Sequence, residues 1–374
     1  MRIFLSAGEV SGDVHGAFLA YALKKAIPGV QLEGIGGERM RAAGIMTIQD
    51  LTAKNSVGFT EGLRFIPDYI RALRQVTRYL RDNRPDCIVF IDNQGFNLEI
   101  AKKIRKYGIY TFYYFAPQLW MWGLGSPKKI EKTIDHILAT FRKEWEYYRD
   151  KTSITVDYIG HPLLEEINVT HDAVTFKKEL GIDDGKRLIG LLPGSRTQEL
   201  STLLPVFLAV AEHYKDKYHF VIPFATKKIA DQYKTQIPNY IHIMQGRSHE
   251  IMAAADLLIM SSGTATLEAA LFNTPMIITY KVSKLTEWIA RRIVKINHIG
   301  MPNILLDKEV CPELIQDAMT SENIILTIES IFNEYGRYEA IINDLAAVRA
   351  LLEPNGAITR AAALIQARCT DGQA

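Results

Sequence analysis

Short apolar runs alternate with segments of helical periodicity along the first half of the chain. The run at 2–6 precedes a helical pattern, and further apolar runs lie at 87–91, 110–115 and 136–139. Nearly continuous apolar strands between helices are typical of a parallel sheet with helices on both faces. The first part of the chain is therefore predicted to form a doubly wound α/β domain.

The same alternation begins again after a polar stretch at 167–184. An apolar run at 187–192 is followed by others at 218–223, 241–244 and 257–260. Because one hydrophobic core stops growing at about 250–300 residues, a chain of 374 residues favours two domains. We therefore predict two doubly wound, Rossmann-like α/β domains that face one another across a cleft.

Helical patterns dominate the end of the chain. Amphipathic stretches lie at 324–332 and 338–352, and a Pro-Asn-Gly turn precedes a last helix. The predicted boundaries are 1–170 for the N-terminal domain, 171–345 for the C-terminal domain and 346–374 for the C-terminal helices. Whether these last helices cross back to the N-terminal domain is left open.

The composition restricts the compartment and the partners. Hydrophobic residues make up 48% of the chain, charged residues make up 23%, and the net charge is +2, so no strong overall field favours nucleic acid. No apolar run approaches the ~20 residues of a membrane helix, and the first residues lack the pattern of a signal peptide. Three scattered cysteines, Cys87, Cys311 and Cys369, fit a reducing compartment. We expect a cytoplasmic protein that binds no nucleic acid.

Ligands of open α/β sheets bind beyond the carboxyl ends of the strands, so chemistry is expected in the strand-to-helix loops. The first such loop, at 6–13, reads Ser-Ala-Gly-Glu-Val-Ser-Gly-Asp. It lacks the G-x-G-x-x-G spacing of a dinucleotide site, and its acidic Glu9 and Asp13 suit sugar hydroxyls better than pyrophosphate. A tight turn in which Ser11 or Asp13 caps the helix explains the same pattern. Both interpretations stay open.

A carboxylate ends the buried strand at 87–91. Asp92 follows this strand in the sequence Phe-Ile-Asp-Asn-Gln-Gly-Phe-Asn at 90–97. A general base that reaches a bound substrate is expected at such a strand end. Helix capping by Asp92 or Asn97 is the structural alternative.

Two loops of the second domain suit phosphate. Leu-Pro-Gly-Ser-Arg at 192–196 leads into a helix whose first amides attract an anion, and Arg196 adds a forked cationic donor. The loop Ser-Ser-Gly-Thr at 261–264 offers a second nest of amides. Glu268 follows one turn later, where its carboxylate can accept from both hydroxyls of a ribose. A surface arginine and a serine or threonine cap are the structural alternatives.

The histidines and cysteines give no sign of a metal site. No group of His, Cys, Asp and Glu has the spacing of metal ligands, so neither a metal nor another cofactor is expected. His161 lies in Gly-His-Pro at the predicted crossover between domains, where a structural hydrogen bond is favoured over catalysis. His15, one turn into the first helix, fits either role.

In their order and spacing, these loops resemble those of the bacterial lipid-A-disaccharide synthases. The resemblance runs nearly end to end, and the segments that carry it are 7–13, 34–37, 117–122, 160–164, 192–196, 262–268, 301–305 and 312–314. One departure lies in the loop after the strand at 87–91, where the family usually shows Asp-x-Pro-x-Phe-Asn. This chain has no proline between Asp92 and Asn97, although the candidate base is retained.

The resemblance implies a GT-B glycosyltransferase whose C-terminal domain binds UDP and whose N-terminal domain binds the acceptor. The implied reaction joins UDP-2,3-diacylglucosamine to 2,3-diacylglucosamine 1-phosphate, with inversion, and gives a β-1,6-linked disaccharide 1-phosphate and UDP. A homodimer is left open. The rival functions are a UDP-N-acetylglucosamine epimerase, which shares the two-domain fold, and a non-catalytic UDP-sugar-binding protein.

The loops and the resemblance together give a candidate site that requires no metal, with the UDP-sugar as a substrate. Asp92 is the predicted general base, and Glu9 is a second catalytic carboxylate. The acceptor side comprises Gly8, Ser11, Gly12, Asp13 and Asn97. The UDP side comprises Gly194, Ser195, Arg196, Ser262, Gly263, Thr264, Glu268 and Asn303.

One segment predicts contact with a lipid surface. Bulky apolar side chains stand beside glycines ahead of Pro67, and Arg64, Arg71 and Arg74 are close in sequence. Such a mixture suits docking at an anionic bilayer, so we expect peripheral association with the cytoplasmic surface of the inner membrane. From 70 to 80 an ordinary helix with its apolar stripe toward the sheet is favoured. The predicted contact residues are Val57, Phe59, Leu63, Phe65 and Ile66.

Overall fold

The computed structural model describes the chain at 1–51, 66–122, 125–167, 169–182, 185–282 and 297–371. The chain forms two compact units. Unit 1 comprises Met1–Glu166 and Leu352–Ala374, and unit 2 comprises Ile167–Leu351. The chain thus changes unit at Ile167 and at Leu352, against predicted boundaries after 170 and 345.

A parallel sheet forms the centre of unit 1. Its strands are β1 (Arg2–Ala7), β2 (Gln31–Ile35), β3 (Met46–Gln49), β4 (Cys87–Ile91), β5 (Tyr110–Tyr114), β6 (His136–Ala139) and β7 (Thr155–Tyr158). They are ordered β3-β2-β1-β4-β5-β6-β7, and every neighbouring pair is parallel. Between them run the helices α1 (Val10–Ala26), α2 (Glu38–Ala42), α3 (Ile66–Asn83), α4 (Gln94–Ile104), α5 (Leu119–Trp122), α6 (Pro127–Glu131), α7 (Arg142–Lys151) and α8 (Leu163–Glu166).

Successive residues of the central strands enter different cores. Leu5 of β1 and Val89 of β4 belong to one hydrophobic core, whereas Phe4 and Phe90 belong to a second. All four side chains are completely buried. Because neighbouring side chains of a strand point to opposite faces, both faces of this sheet are covered. This explains why β1 and β4 read as continuous apolar runs.

Unit 2 repeats this arrangement. Its strands are β8 (Leu188–Leu192), β9 (His219–Phe224), β10 (Ile241–Gln245), β11 (Leu257–Ser261), β12 (Met276–Tyr280) and β13 (Glu313–Ile315). Their order is β10-β9-β8-β11-β12-β13, again parallel throughout. Its helices are α9 (Ala173–Glu179), α10 (Thr197–His213), α11 (Lys227–Tyr233), α12 (Ser248–Ala254), α13 (Ala265–Leu271), α14 (Met301–Leu306), α15 (Ser321–Asn333) and α16 (Arg337–Leu352). The prediction of two doubly wound α/β domains is confirmed.

The last helix packs in unit 1. This helix, α17 (Ala357–Asp371), places Ala361 and Ile365 in the core that also contains Leu19 of α1. Ala361 and Ile365 are completely buried. Short 3-10 turns at Arg105–Tyr107, Lys234–Gln236 and Gln316–Ala318 complete the described secondary structure.

Each sheet contains a switch point, where the strand order reverses. In unit 1 the chain runs outward from β1 to β3 and then returns to β4, beside β1. In unit 2, β8 and β11 are neighbours for the same reason. Ligands of open α/β sheets bind at such points, beyond the carboxyl ends of the strands. The loops that follow β1, β4, β8 and β11 are therefore the candidate binding loops.

Candidate active site

In unit 1 the loops after β1 and β4 meet at the switch point. Ser11, in the first turn of α1, donates from Oγ to Oδ2 of Asp92 at 3.3 Å. The two residues are 81 positions apart in sequence, and the pairing of β1 with β4 brings them together. Both are partly exposed. The structure thus joins two predicted site residues, one from each loop.

The backbone of Asp92 adopts a left-handed conformation. Asp92 has a φ of 51° and Asn93 a φ of 43°, in a region that costs a residue other than glycine roughly 1–3 kcal/mol. Two donors fix the carbonyl oxygen of Asp92: the Tyr113 hydroxyl at 2.9 Å and the Asn97 amide at 2.7 Å. Strained backbone that its surroundings hold in place is concentrated at functional sites.

A second carboxylate acts on the same tyrosine. Burial raises the pKa of Tyr113 well above its usual value, and the charges of Asp92 and Glu9 raise it further. Tyr113 therefore stays a neutral donor, as its hydrogen bond to Asp92 requires. Glu9 is the residue that precedes α1. The two predicted catalytic residues are thus both near enough to Tyr113 to influence its ionisation.

Asn97 lies beneath the loop and joins the ends of two strands. Its side chain is completely buried. Oδ1 accepts from the Ser6 hydroxyl at 2.6 Å, while Nδ2 donates to the carbonyl oxygens of Ser6, Ile91 and Asp92. Asn97 therefore holds the loop in position. In the described contacts, its side-chain amide bonds to protein groups and has a structural role.

Asp13 caps a helix of the same unit. It is 5% exposed, and its Oδ1 accepts from the backbone N–H of Gly37 at 2.7 Å and of Met40 at 3.1 Å. Its Oδ2 accepts from the N–H of Arg39 at 3.0 Å. The carboxylate thus binds the first amides of α2, so the capping interpretation describes Asp13, although the capped helix is not its own.

The two glycines of the first loop permit close packing. A Cβ on Gly8 would lie 1.9 Å from Nδ2 of Asn93, and a Cβ on Gly12 would lie 3.3 Å from that of Ala7. Gly8 therefore leaves room for the loop after β4, and Gly12 allows α1 to approach the sheet. Both are buried, so they shape the site from within.

His15 forms a hydrogen bond that the sequence did not predict. Its Nδ1 lies 2.8 Å from Oε1 of Glu166, and its ring stacks on Phe115 with centroids 4.0 Å apart. Phe115, directly after β5, has a φ of 57°. The sequence left the role of His15 open and did not single out its partners, because 151 positions separate His15 from Glu166.

His161 has a structural role. Burial, and then the nearby His15, lower the pKa of His161 to about 3, so its ring is neutral at physiological pH. Its ring Nδ1 accepts from the backbone N–H of Leu163 at 3.2 Å. The backbone N–H of His161 donates to the carbonyl oxygen of Leu352 at 2.8 Å. The structural hydrogen bond favoured from the sequence is confirmed.

In unit 2 the loop after β8 opens α10, a helix of 17 residues. Gly194 has a φ of 102°, and a Cβ there would lie 2.1 Å from Oε2 of Glu199, so the loop requires glycine. Ser195 and Arg196 are exposed. The guanidinium of Arg196 lies 3.5 Å from Oε1 of Glu199 and is 52% exposed. An exposed cationic fork beside the first amides of a long helix suits an anion.

The loop after β11 is anchored on one side and open at its tip. Ser262 donates from Oγ to the carbonyl oxygen of Ile299 at 2.9 Å. Gly263 and Thr264 are exposed, and a Cβ on Gly263 would meet no atom within 4 Å. The fold therefore tolerates a side chain at position 263. The backbone at Gly263 therefore faces open space.

Glu268 has a partner that the sequence did not predict. Its Oε2 lies 3.0 Å from Nε2 of His249, with side-chain exposures of 23% and 29%. His249 belongs to the first turn of α12, which packs against α13, the helix of Glu268. No sequence motif identifies His249, because the pairing depends on how the two helices pack.

Asn303 forms a buried network of structural hydrogen bonds. It is completely buried, and its Oδ1 accepts from the N–H groups of Val310 and Cys311 at 2.8 and 2.9 Å. Its Nδ2 donates to the carbonyl oxygen of Cys311 and to Oε1 of Glu313. Glu313 also accepts from the N–H of Gly300 at the start of α14. This network shapes the region and leaves Asn303 beneath the surface.

The predicted lipid contact falls largely outside the described residues. Val57, Phe59, Leu63 and Phe65 lie in the undescribed stretch 52–65, and the side chain of Ile66 is also not described. In the helix that follows, Leu73, Val76 and Leu80 are buried, which confirms the predicted stripe, whereas Ile70 is 39% exposed and does not join it. Over the described ranges, every helix is too short or too polar to span a bilayer.

Within the described ranges, no group of three or more His, Cys, Asp and Glu residues is arranged to hold a metal ion. Independence from metal stays a prediction.

Comparison with known proteins identifies the family. The family described as lipid-A-disaccharide synthetase matches residues 3–349. The lipid-A-disaccharide synthase of Francisella philomiragia is 38% identical over 353 residues, which are 92% of this chain and 93% of the relative. The UDP-GlcNAc 2-epimerase from Neisseria meningitidis, solved with UDP-GlcNAc, has a TM-score of 0.64 at 15% identity and covers 99% of this chain and 100% of its own.

A solved glycosyltransferase shares the fold as well. The glycotransferase of kitacinnamycin has a TM-score of 0.63 at 12% identity, covering 98% of each chain. At such identities the two solved structures show the fold alone. The family match and the Francisella relative, by contrast, extend over nearly the whole sequence. The chain therefore belongs to the lipid-A-disaccharide synthase family of glycosyltransferases.

Proposed function

We propose that the chain joins UDP-2,3-diacylglucosamine to the 6-hydroxyl of 2,3-diacylglucosamine 1-phosphate. The products are a β-1,6-linked disaccharide 1-phosphate and UDP, and the anomeric carbon is inverted. Membership of the family supports the reaction class. The observation that carries the mechanism is the partly exposed carboxylate of Asp92, which is held in left-handed backbone after β4 and bonded to Ser11.

Inversion is a single displacement in which the acceptor hydroxyl attacks opposite the departing UDP. The hydroxyl must lose its proton as the new bond forms, and in this proposal Asp92 accepts it. Ser11 donates to Oδ2 of Asp92 and thereby orients the carboxylate. The fixed backbone keeps the base in place before the substrate arrives, which reduces the entropy lost in the transition state. Glu9 is assigned to the acceptor, or to the positive charge that develops at the anomeric carbon.

The departing UDP gains negative charge on its terminal phosphate. In unit 2, Arg196 and the first amides of α10 supply donors, and the exposed backbone at Gly263 and Thr264 supplies more. Fixed donors stabilise charge that develops as a bond breaks, and removing one typically costs ~10²–10³ in rate. Because these groups can neutralise the leaving group, we propose that transfer requires no metal. Glu268 is assigned to the ribose.

The direct test is a transfer assay with purified protein and the two lipid substrates. Disaccharide and UDP are expected in equal amounts, and added EDTA is expected to leave the rate unchanged. An epimerised sugar nucleotide without disaccharide, or binding without turnover, would contradict the proposal. Strict dependence on an added divalent ion would contradict its metal-free part.

We further propose that unit 1 docks on the cytoplasmic surface of the inner membrane. Arg71, Arg74 and Arg78 of α3 are exposed, and the helix begins directly after the apolar segment that sequence analysis singled out. Basic side chains near an anionic bilayer contribute on the order of 1 kcal/mol each. The arginines and the apolar segment therefore support attachment together.

Sedimentation with anionic liposomes tests this docking. Replacing Phe59, Leu63 and Phe65 with serine is expected to release the protein while UDP binding is kept. Arg71→Glu combined with Arg74→Glu is expected to weaken sedimentation, and more so at low salt. Lys215→Glu combined with Lys217→Glu, at exposed positions of unit 2, is the control with the same charge change. Unaltered sedimentation of both test variants would place the contact elsewhere.

A further inference from the structure

We propose that His249 is a positioning residue of the nucleotide site. It holds the Glu268 carboxylate in place to accept hydrogen bonds from the ribose of UDP. This inference rests on the proposed function, in which Glu268 accepts from the ribose hydroxyls. It concerns a residue that lies outside both phosphate loops.

The geometry joins the two side chains from different helices. Nε2 of His249 lies 3.0 Å from Oε2 of Glu268, within hydrogen-bond distance. The ring of His249 also approaches Phe272, with centroids 6.0 Å apart. Phe272 directly follows α13, the helix that carries Glu268. His249 is therefore held against the same helix as the carboxylate that it contacts.

The intermediate exposure of the pair suits a ligand site. Glu268 is 23% exposed and His249 is 29% exposed, so solvent or a ligand can reach them while the surrounding fold restricts their motion. A glutamate side chain loses considerable rotamer freedom when it is ordered. If His249 orders the Glu268 side chain before UDP binds, this entropy is not lost on binding. The affinity for UDP is therefore higher.

The chemistry leaves acceptor capacity for the ribose. An imidazole nitrogen that faces a carboxylate carries a proton, in the neutral ring as well as in the cation, and donates it. A carboxylate offers about four acceptor positions on its two oxygens. His249 uses Oε2, so Oε1 is directed to another side, where the two adjacent hydroxyls of a ribose can donate. The arrangement favours ribose over a sugar that lacks one hydroxyl.

A structural role and a positioning role predict different measurements. A hydrogen bond that only stabilises the fold changes the melting temperature and has no preference among nucleotides. A positioning residue changes the affinity for UDP through Glu268. Its effect must therefore disappear when Glu268 is removed, and it must become smaller when one of the two ribose hydroxyls is removed.

Calorimetric titration of the full chain with UDP and with 2′-deoxy-UDP tests the proposal. His249→Ala is expected to weaken UDP binding roughly tenfold, the size of one hydrogen bond to a charged group. 2′-Deoxy-UDP is expected to bind more weakly to the wild type and to lose less affinity than UDP on the substitution, because only one ribose hydroxyl remains to contact Glu268. His249→Gln, which keeps a donor at similar reach, is expected to restore most of the affinity. In a Glu268→Ala background, His249→Ala is expected to add no further loss.

A matched control is available in the same unit. His213 is exposed at the far end of α10, and His213→Ala is expected to leave UDP affinity unchanged. Melting temperatures of all variants show whether the fold is intact. Unchanged UDP affinity in His249→Ala, or an equal loss for both nucleotides that persists without Glu268, would overturn the positioning role alone. A wild-type chain that binds no UDP would overturn the proposed function with it.

Discussion

Asp92 owes its position to side chains that are out of reach of a substrate. The hydroxyl of Tyr113 and the amide of Asn97 both donate to its carbonyl oxygen, and both residues are completely buried. These bonds help to hold the left-handed backbone at Asp92 and Asn93. In the proposed mechanism, Asn97 therefore acts only through the loop that its hydrogen bonds hold in place.

Asp92→Asn is expected to lower turnover by at least ~10², because the amide cannot accept the proton of the acceptor hydroxyl. Asparagine tolerates left-handed backbone, so the loop is expected to persist. UDP affinity is expected to change little, because the proposed nucleotide loops belong to unit 2. Steady-state kinetics and calorimetric UDP titration provide the measurements, with exposed Asp82→Asn as the control. Near-normal turnover would remove Asp92 from the mechanism.

Substitutions at two glycines of unit 2 are expected to affect folding and UDP binding differently. Gly263→Ala is expected to keep the melting temperature, because the added methyl meets no atom within 4 Å, and to weaken UDP binding. Gly194→Ala is expected to destabilise the fold by more than about 1 kcal/mol, because position 194 has a positive φ and the methyl meets Glu199. Thermal melting and UDP titration check both variants. Full UDP affinity in Gly263→Ala would exclude close approach of a ligand there.

At the scale of helices and strands, periodicity identified the elements but not the partners of polar side chains. Five consecutive residues of β4 are buried, and an apolar run reveals such a strand. Asp13 and Asn303 were predicted as site residues, Asp13 from the loop after the first strand and Asn303 from the family resemblance. Asp13 instead accepts from Gly37, 24 positions away. A polar residue used by the fold looks the same in sequence as one that binds a ligand.

The strand-to-helix loops were predictable for a physical reason. A parallel sheet brings all carboxyl strand ends to one edge, and the contact between Ser11 and Asp92 forms at that edge. The pairs of His15 with Glu166 and of His249 with Glu268 were not predictable. Each depends on how segments far apart in sequence come together in the fold, which periodicity does not specify.

The segment around His161 is expected to make stability depend on pH. Its folded pKa of about 3 lies below the usual value near 6.5, so the unfolded chain binds the proton first. The stability that the neutral ring of His161 contributes is fully present above about pH 6.5 and is lost as the pH falls toward 3. At pH 5 the loss amounts to about 2 kcal/mol.

His161→Asn keeps an acceptor for the N–H of Leu163 and removes the titration. Urea unfolding at pH 7 and pH 5 is expected to show a smaller loss of stability for this variant than for the wild type, by about 2 kcal/mol. Equal losses of stability between pH 7 and pH 5 in the two proteins would show that folding does not lower the pKa of His161.

At the scale of the whole molecule, unit 1 is completed by residues from the other end of the chain. Ile365 of α17 is completely buried in the core that contains Leu19. Helical periodicity at 357–371 indicates that one face is buried, but it does not say against which domain. The sequence therefore left the return of the last helix open, and the structure places it in unit 1.

Ile365→Ala is expected to destabilise unit 1 by about 2–5 kcal/mol, the usual cost of a cavity in a core. UDP affinity is expected to be kept under native conditions, because Ile365 lies outside unit 2. Denaturant unfolding together with UDP titration checks this, and Leu351→Ala, at a position 40% exposed, is the control. A stability loss no larger than that of the control would show that α17 contributes little to the core.

The stereochemistry of the product tests the central claim most directly. A single displacement with Asp92 as base must convert the α-linked donor into a β-linked disaccharide. Proton NMR of the disaccharide formed from the two lipid substrates is predicted to show the large anomeric coupling of a β-glucosaminide, linked to the 6-position of the acceptor. An α-linkage, with its small anomeric coupling, would contradict the account.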